Sequence, residues 1–144
     1  MIAVDTNILV HAHRRDSEWH DPAVACIEAL AEGSAPWAIP WSCIHEFLAI
    51  VTHPRIYAPP SRLDQALDQV DAWLESPTAN LLGETSDHWE NLKSALVAAR
   101  ISGPAIHDAR IATICTSHRV SELLTADREF GRFPSLRVRN PLIA

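Results

Sequence analysis

The sequence predicts an α/β protein: a three-layer α/β/α sandwich around a central, mostly parallel sheet of four to five strands. Two observations carry that prediction. Short apolar runs alternate with longer segments of helical spacing, the pattern of βαβ units. Strands that alternate with helices in this way form a mostly parallel sheet covered on both faces. Acidic residues also recur where a strand or loop gives way to a helix, the edge at which open α/β sheets bind ligands.

The elements follow in order. Ile2–Val4 is a buried strand, and Asp5-Thr6-Asn7 leads into a helix through Ile8-Leu9-Val10. Asp21-Pro22 reads as an N-cap with proline at the first helical position, and Gly33 ends that helix. Trp37-Ala38-Ile39 is a second strand. Ser42 reads as the cap of a helix with the stripe Ile44, Phe47, Leu48 and Val51, and Glu46 lies off that stripe. After the proline-bearing loop from His53 to Pro60, Ser61 reads as the cap of a helix with Leu63, Ala66, Leu67, Val70, Trp73 and Leu74 on one face. Asn80-Leu81-Leu82 is the third strand. Asp87 and Glu90 have capping-box spacing, opening a helix through Leu92, Leu96 and Ala99 that runs to Gly103. Helical spacing returns after Ile106-His107-Asp108. Leu123-Leu124-Thr125 and Leu136-Arg137-Val138 complete the strands. With no repeat, low-complexity tract or linker, one domain over 1–144 is expected.

Composition narrows the function. The chain has 144 residues, 47% apolar and 21% charged, ordinary for a globular domain. No apolar run approaches the roughly 20 residues that cross a bilayer, and the N-terminus reads as a core strand with none of the features of a secretory signal. Three widely spaced cysteines without CxxC spacing suggest neither a disulfide framework nor a zinc site, so a cytoplasmic location is expected. The net charge of −6 argues against generic nucleic-acid affinity. All but one of the 12 basic residues are arginine, however, the side chain suited to bidentate phosphate contact.

The candidate site residues are Asp5, Glu46, Asp108 and Asp127, each at a strand-to-helix junction or in the first turns of a helix. Singly, each has a plainer explanation as a cap, a first-turn acid or a turn residue. Together on one sheet edge they would repel one another unless a cation lay between them. An all-oxygen set selects Mg²⁺ or Mn²⁺ over zinc. Such an ion activates water and orients in-line attack on phosphorus. Thr6 and Thr125 are placed to orient water or hold the carboxylates, and helix capping is the alternative for both. His11 and His13 do not share a helix face. His45 and His107 each precede a candidate acid, a spacing expected to turn them away from it. The five tryptophans are expected mainly in the core, with Trp41 near Glu46 able to serve either role.

At these residues the chain resembles PIN-domain ribonucleases, specifically the VapC-type toxins of bacterial toxin–antitoxin pairs. The resemblance rests on Ile2-Ala3-Val4-Asp5-Thr6-Asn7, on Glu46, on Ile106-His107-Asp108-Ala109-Arg110-Ile111-Ala112, and on Leu124-Thr125-Ala126-Asp127-Arg128-Glu129-Phe130, in that order along nearly the whole chain. It implies an acidic pocket holding Mg²⁺ (Mn²⁺ as a substitute), with Asp5 and Asp108 as the best-defined ligands and Glu46 and Asp127 completing the quartet. It further implies hydrolysis of RNA phosphodiesters to 5′-phosphate and 3′-hydroxyl ends, a homodimer, and a neutralising VapB-type antitoxin. Arg128 and Arg132, with Arg137 and Arg139, are candidates for guiding the RNA backbone, and Thr6 for contacting substrate. The competing expectation is a non-catalytic PIN-like module that binds RNA or a protein partner. A phosphotransfer receiver would need a lysine ending its fifth strand, and the only lysine is Lys93, in a helix. A haloacid-type phosphatase would need a second acid where Asn7 stands.

Overall fold

The computed structural model describes residues 1–143. Five strands, β1 (Ile2–Val4), β2 (Trp37–Pro40), β3 (Ala79–Leu82), β4 (Glu122–Leu124) and β5 (Arg137–Arg139), form one sheet in the order β3-β2-β1-β4-β5. Every neighbouring pair is parallel, with Ala3 opposite both Ala38 and Leu123. Six helices connect them: α1 (Thr6–His13), α2 (His20–Glu32), α3 (Trp41–Val51), α4 (Leu63–Leu74), α5 (His88–Ala99) and α6 (Ile106–Ser117). The predicted α/β sandwich and strand count are therefore realised, with no antiparallel member.

The centre of the sheet is buried on both faces, which is why β1 and β2 are apolar at consecutive positions. Ala3, Val4, Trp37, Ala38 and Ile39 are all completely buried. The core continues through Ile8, Leu9, Phe47, Ile114 and Phe130. Phe47 packs edge-on against Trp73 with ring centroids 4.9 Å apart. The buried Trp37 donates its indole N–H to Ser76 at 3.1 Å, so its one polar atom is satisfied. Trp41 and Trp89 depart from the expected core placement: they are 42% and 64% exposed.

Strand order decides where ligands can bind. From β1 the chain steps through β2 to β3 on one side, then returns to lay β4 and β5 on the other. The reversal lies between β1 and β4, and the crevice beyond their C-terminal ends is the binding position of open parallel sheets. Asp5 leaves β1 there, its N–H bonded to the Leu124 carbonyl at 3.0 Å.

Helix starts differ from several sequence expectations. α2 begins at His20, with Trp19 in the cap position, so Asp21 lies inside the first turn. Pro40 precedes α3, and Ser42 is inside it. Arg62 precedes α4, with its N–H bonded to Gln65 at 3.1 Å. Ser61 meets His13 at 2.9 Å and Arg14 at 3.2 Å. Asp87 does occupy the α5 cap position but makes no side-chain cap bond, and Glu90 pairs with Lys93. That helix stops at Ala99 because Arg100 turns left-handed at φ 54°, short of Gly103. Only at Ser61 does a contact distant in sequence take the hydroxyl that local capping would have used.

Candidate active site

Asp5 is 4% exposed, an unusual position for a carboxylate, and every contact it makes comes from the sequence around the switch point. One carboxylate oxygen accepts the Thr6 N–H at 2.8 Å, which makes Asp5 the N-cap of α1. It also receives the Cys43 thiol, with sulfur and oxygen 3.6 Å apart. The other oxygen accepts the Thr125 hydroxyl at 2.7 Å and the Asn7 amide at 3.3 Å. Capping and site membership are thus compatible in this residue.

Thr125 ties the two halves of the sheet together. Its hydroxyl donates to Asp5 and accepts from the Asn7 side chain at 3.1 Å and from the Asp127 N–H at 3.0 Å. Asn7 in turn accepts the Ala126 N–H at 3.1 Å. Asp127 caps the short 3-10 turn Arg128–Arg132 by accepting the Glu129 N–H at 2.9 Å. β1 and the segment after β4 are thereby held in register 120 residues apart.

Asp5, Glu46, Asp108 and Asp127 all line one cleft of about 280 Å³, with Thr6, Asn7, His11 and Tyr57 among its other walls. Asp108 reaches it from the first turn of α6 and Glu46 from the second turn of α3. The electrostatics record their closeness. Burial raises the pKa of Asp5, and Glu46 raises it further, against the hydrogen bonds from Thr125 and Thr6. Glu46 is raised by burial and by Asp108, while His107 opposes the shift. Asp108 is raised by burial, by Asp127 and by Asp5, opposed by Arg132 and His107. Every one of the four acids therefore enters a repulsive pair with another.

This arrangement suits a hard divalent cation. The lining oxygens are carboxylates and hydroxyls, and the Thr6 hydroxyl is buried without a hydrogen-bond partner among the described residues. Among the described residues no three carboxylate, imidazole or thiol groups stand close enough together to hold one ion by themselves. Mg²⁺ characteristically binds through one or two carboxylates and retains several waters. Thiol chemistry fits poorly. Burial pushes Cys43 well above the ordinary thiol range and Cys115 to about 12, so neither forms a thiolate near neutral pH.

These raised carboxylates set a pH dependence for the metal-free protein. A carboxyl whose folded pKa lies above its unfolded one (3.8 for Asp, 4.5 for Glu) favours folding fully below the unfolded value. That contribution is lost as pH climbs through the folded value. Thermal melts in EDTA should therefore show Asp5→Asn gaining on the wild type as pH rises from 4 to 8. A constant difference across that range would contradict the assigned strain.

The predicted guiding residues are placed unevenly. Arg132 pairs with Glu129 and still lowers Asp108 by its charge. Arg139 pairs with Glu122 at 3.1 Å. Arg128 and Arg139 line a side pocket that adjoins the cleft at Asp127, and Arg137 is exposed on the edge strand. His45 and His107 do not turn away: both line a groove shared with Glu46 and Asp108. Successive residues on a helix flank the same groove when it runs between two helices. Asn7, Cys43, His11 and Tyr57 were not predicted as site residues. Only Asn7 had a sequence signal, its position two residues after Asp5.

The sequence model of the PIN domain family matches residues 2–136 of this chain. The chain belongs to the PIN domain family. Among its curated PIN relatives, ribonuclease VapC43 of Mycobacterium tuberculosis is 34% identical over 142 residues, spanning 99% of this chain and 96% of that protein. Ribonuclease VapC31 of the same organism is 31% identical over 143 residues, spanning 99% and 100%. Solved PIN structures share the fold. VapBC2 from Rickettsia felis, bound to a promoter DNA fragment, aligns over 97% of this chain and 98% of that one, with a TM-score of 0.68 and 22% identity. VapC20 of Mycobacterium tuberculosis, described as a sarcin–ricin loop cleaving toxin, aligns over 95% and 99%, with a TM-score of 0.68 and 16% identity.

Proposed function

We propose that this PIN domain is an endoribonuclease, the toxin of a type II toxin–antitoxin pair, which hydrolyses RNA phosphodiester bonds with Mg²⁺ (or Mn²⁺) in its acidic cleft. The observation that carries the reading is the convergence of Asp5, Glu46, Asp108 and Asp127 on that one cleft at the switch point. The relatives named as ribonucleases match over almost their full lengths, which supports the activity class. Several structural neighbours are toxin–antitoxin complexes, which supports a VapB-type antitoxin as partner. A homodimer acting on cytoplasmic RNA completes the reading. No helix among the described residues is long and apolar enough to cross a membrane.

In this mechanism Asp5 and Asp108 would hold the cation, with Glu46 and Asp127 completing the acidic lining around it. A divalent cation bound there would supply charge neutralisation at phosphate and acidify water. The chain's own part is preorganisation. Thr125 and Asn7 fix the Asp5 carboxylate through 2.7 Å and 3.3 Å bonds, so it need not reorient during reaction. Glu46, its pKa raised by burial and by Asp108, is placed to accept the proton of the attacking water. The Thr6 hydroxyl, unpartnered in the cleft wall, is placed to hold water or a phosphate oxygen.

Chelation tests the reading. Cleavage of single-stranded RNA should stop in EDTA, return with Mg²⁺ or Mn²⁺, and leave 5′-phosphate ends. A chain that binds RNA in EDTA without cutting it under any divalent cation would be the non-catalytic module.

A further inference from the structure

The acid cleft is the middle of a longer trough. It shares Glu46, Asp108 and Ile111 with a groove of about 580 Å³ on its β2 side, and Asp127 with a pocket of about 270 Å³ on its β4 side. The two arms differ in chemistry. The smaller arm presents Arg128, a group for a phosphate backbone, beside Arg139, which is paired with Glu122. The larger lies between the first turns of α3 and α6, and its walls include His45, His107, Pro104 and Arg110. Arg110 is committed there, its Nε bonded to Glu84 at 2.7 Å. Ser42 also borders this groove, and its hydroxyl is buried without a partner among the described residues.

We propose that the β2-side groove seats the unpaired base of the nucleotide next to the scissile phosphate, with His45 as its stacking surface, Trp41 supporting that ring from behind, and Ser42 and His107 along its edge. The inference rests on the nuclease reading of the adjoining cleft. Three observations carry it. The groove shares two of the four acids, Glu46 and Asp108, with the cleft, so the two are contiguous. Its size falls within the roughly 300–1,000 Å³ of small-ligand pockets. Two imidazole rings, His45 and His107, line it, and behind His45, outside the lining, lies Trp41, tilted against that ring with centroids 6.0 Å apart at 31° and 42% exposed. Stacking of single-stranded bases on exposed ring surfaces is a general mode of recognition. An uncharged base also suffers less from the adjoining carboxylates than a further phosphate would.

The test uses a randomised single-stranded RNA pool cleaved in Mg²⁺ by the full chain, with KM and kcat measured and 5′ ends sequenced. Trp41→Ala and His45→Ala should each raise KM by about tenfold, the cost of one lost stacking contact. Both should also flatten the nucleotide preference at one position beside the cut. Trp41→Phe should retain the wild-type preference, which a purely structural role for Trp41 would not require. Both residues are exposed, and an unchanged melting temperature would show that the fold is intact. Wild-type KM and cut-site preference in both alanine variants would overturn the inference while leaving the nuclease standing. Absence of any cleavage by the wild-type chain in Mg²⁺ or Mn²⁺ would bring down both.

Discussion

Asp5→Asn and Asp108→Asn are each expected to lower RNA cleavage by at least about 10²–10³-fold, the loss typical when one preorganised electrostatic group is removed from a reaction centre. The protein should remain folded, and Asp5→Asn should melt at a higher temperature than the wild type in metal-free buffer near neutral pH. Loss of activity with gain of stability follows from the geometry. Asp5 is buried, and its carboxylate is opposed by Glu46, so an uncharged isostere relieves a cost the folded chain otherwise bears. Asparagine keeps one acceptor oxygen for the Thr6 N–H at the helix N-cap, its new NH₂ facing the Thr125 hydroxyl and Asn7 amide, whose lost bonds offset part of the gain. Opposite signs for activity and stability are what separate a functional carboxylate from a structural one. Parallel losses in both would make Asp5 a cap and nothing more. The measurements are initial rates on single-stranded RNA and thermal melts of the same preparations.

Thr125→Val should have the contrary profile in stability. Valine keeps the shape of the side chain and removes a hydroxyl with three partners: Asp5, Asn7 and the Asp127 N–H. Thr125 is 3% exposed, so water does not readily replace those bonds. Leaving buried donors and a carboxylate oxygen unpaired should cost roughly 2 kcal/mol of stability. Activity should fall as well, because Asp5 and the Asp127 loop lose the atom that aligns them. Serine restores the hydroxyl, and Thr125→Ser should recover most of the rate. Denaturant unfolding and cleavage rates on both variants check this, and a stable, fully active valine variant would remove Thr125 from the positioning network.

Much of this was legible in the sequence because strand ends and helix starts have strong local signatures. The apolar triplet Ile2–Val4 followed by Asp5 gave both a central strand and the carboxylate at its end. The run Leu123-Leu124-Thr125 with Asp127 did the same on the other side of the switch point. Asp108 in the first turn of α6 and Glu46 in the second turn of α3 needed only helical spacing. Of the missed caps, Asp21 and Ser42 fall just inside their helices, and Ser61 is drawn off by distant partners. A serine or aspartate competes for many partners, and tertiary contacts decide which one wins. Ser61 is taken by His13 and Arg14, 48 and 47 residues away. Asp87 found the right position but not the bond. The network that locks Asp5 was equally hidden, since Thr125 lies 120 residues from it. His45 and His107 were misread because helical spacing describes one helix, whereas their groove is made by two.

The central claim is that the cleft lined by four carboxylates from distant segments binds a divalent cation. Titrating Mn²⁺ into the protein, with free Mn²⁺ followed by its electron paramagnetic resonance signal, tests it most directly. The account predicts a saturable site in the wild type that Mg²⁺ displaces and that disappears when Asp5 and Asp108 are both replaced by asparagine. Equal Mn²⁺ uptake by the wild type and the double variant would contradict it.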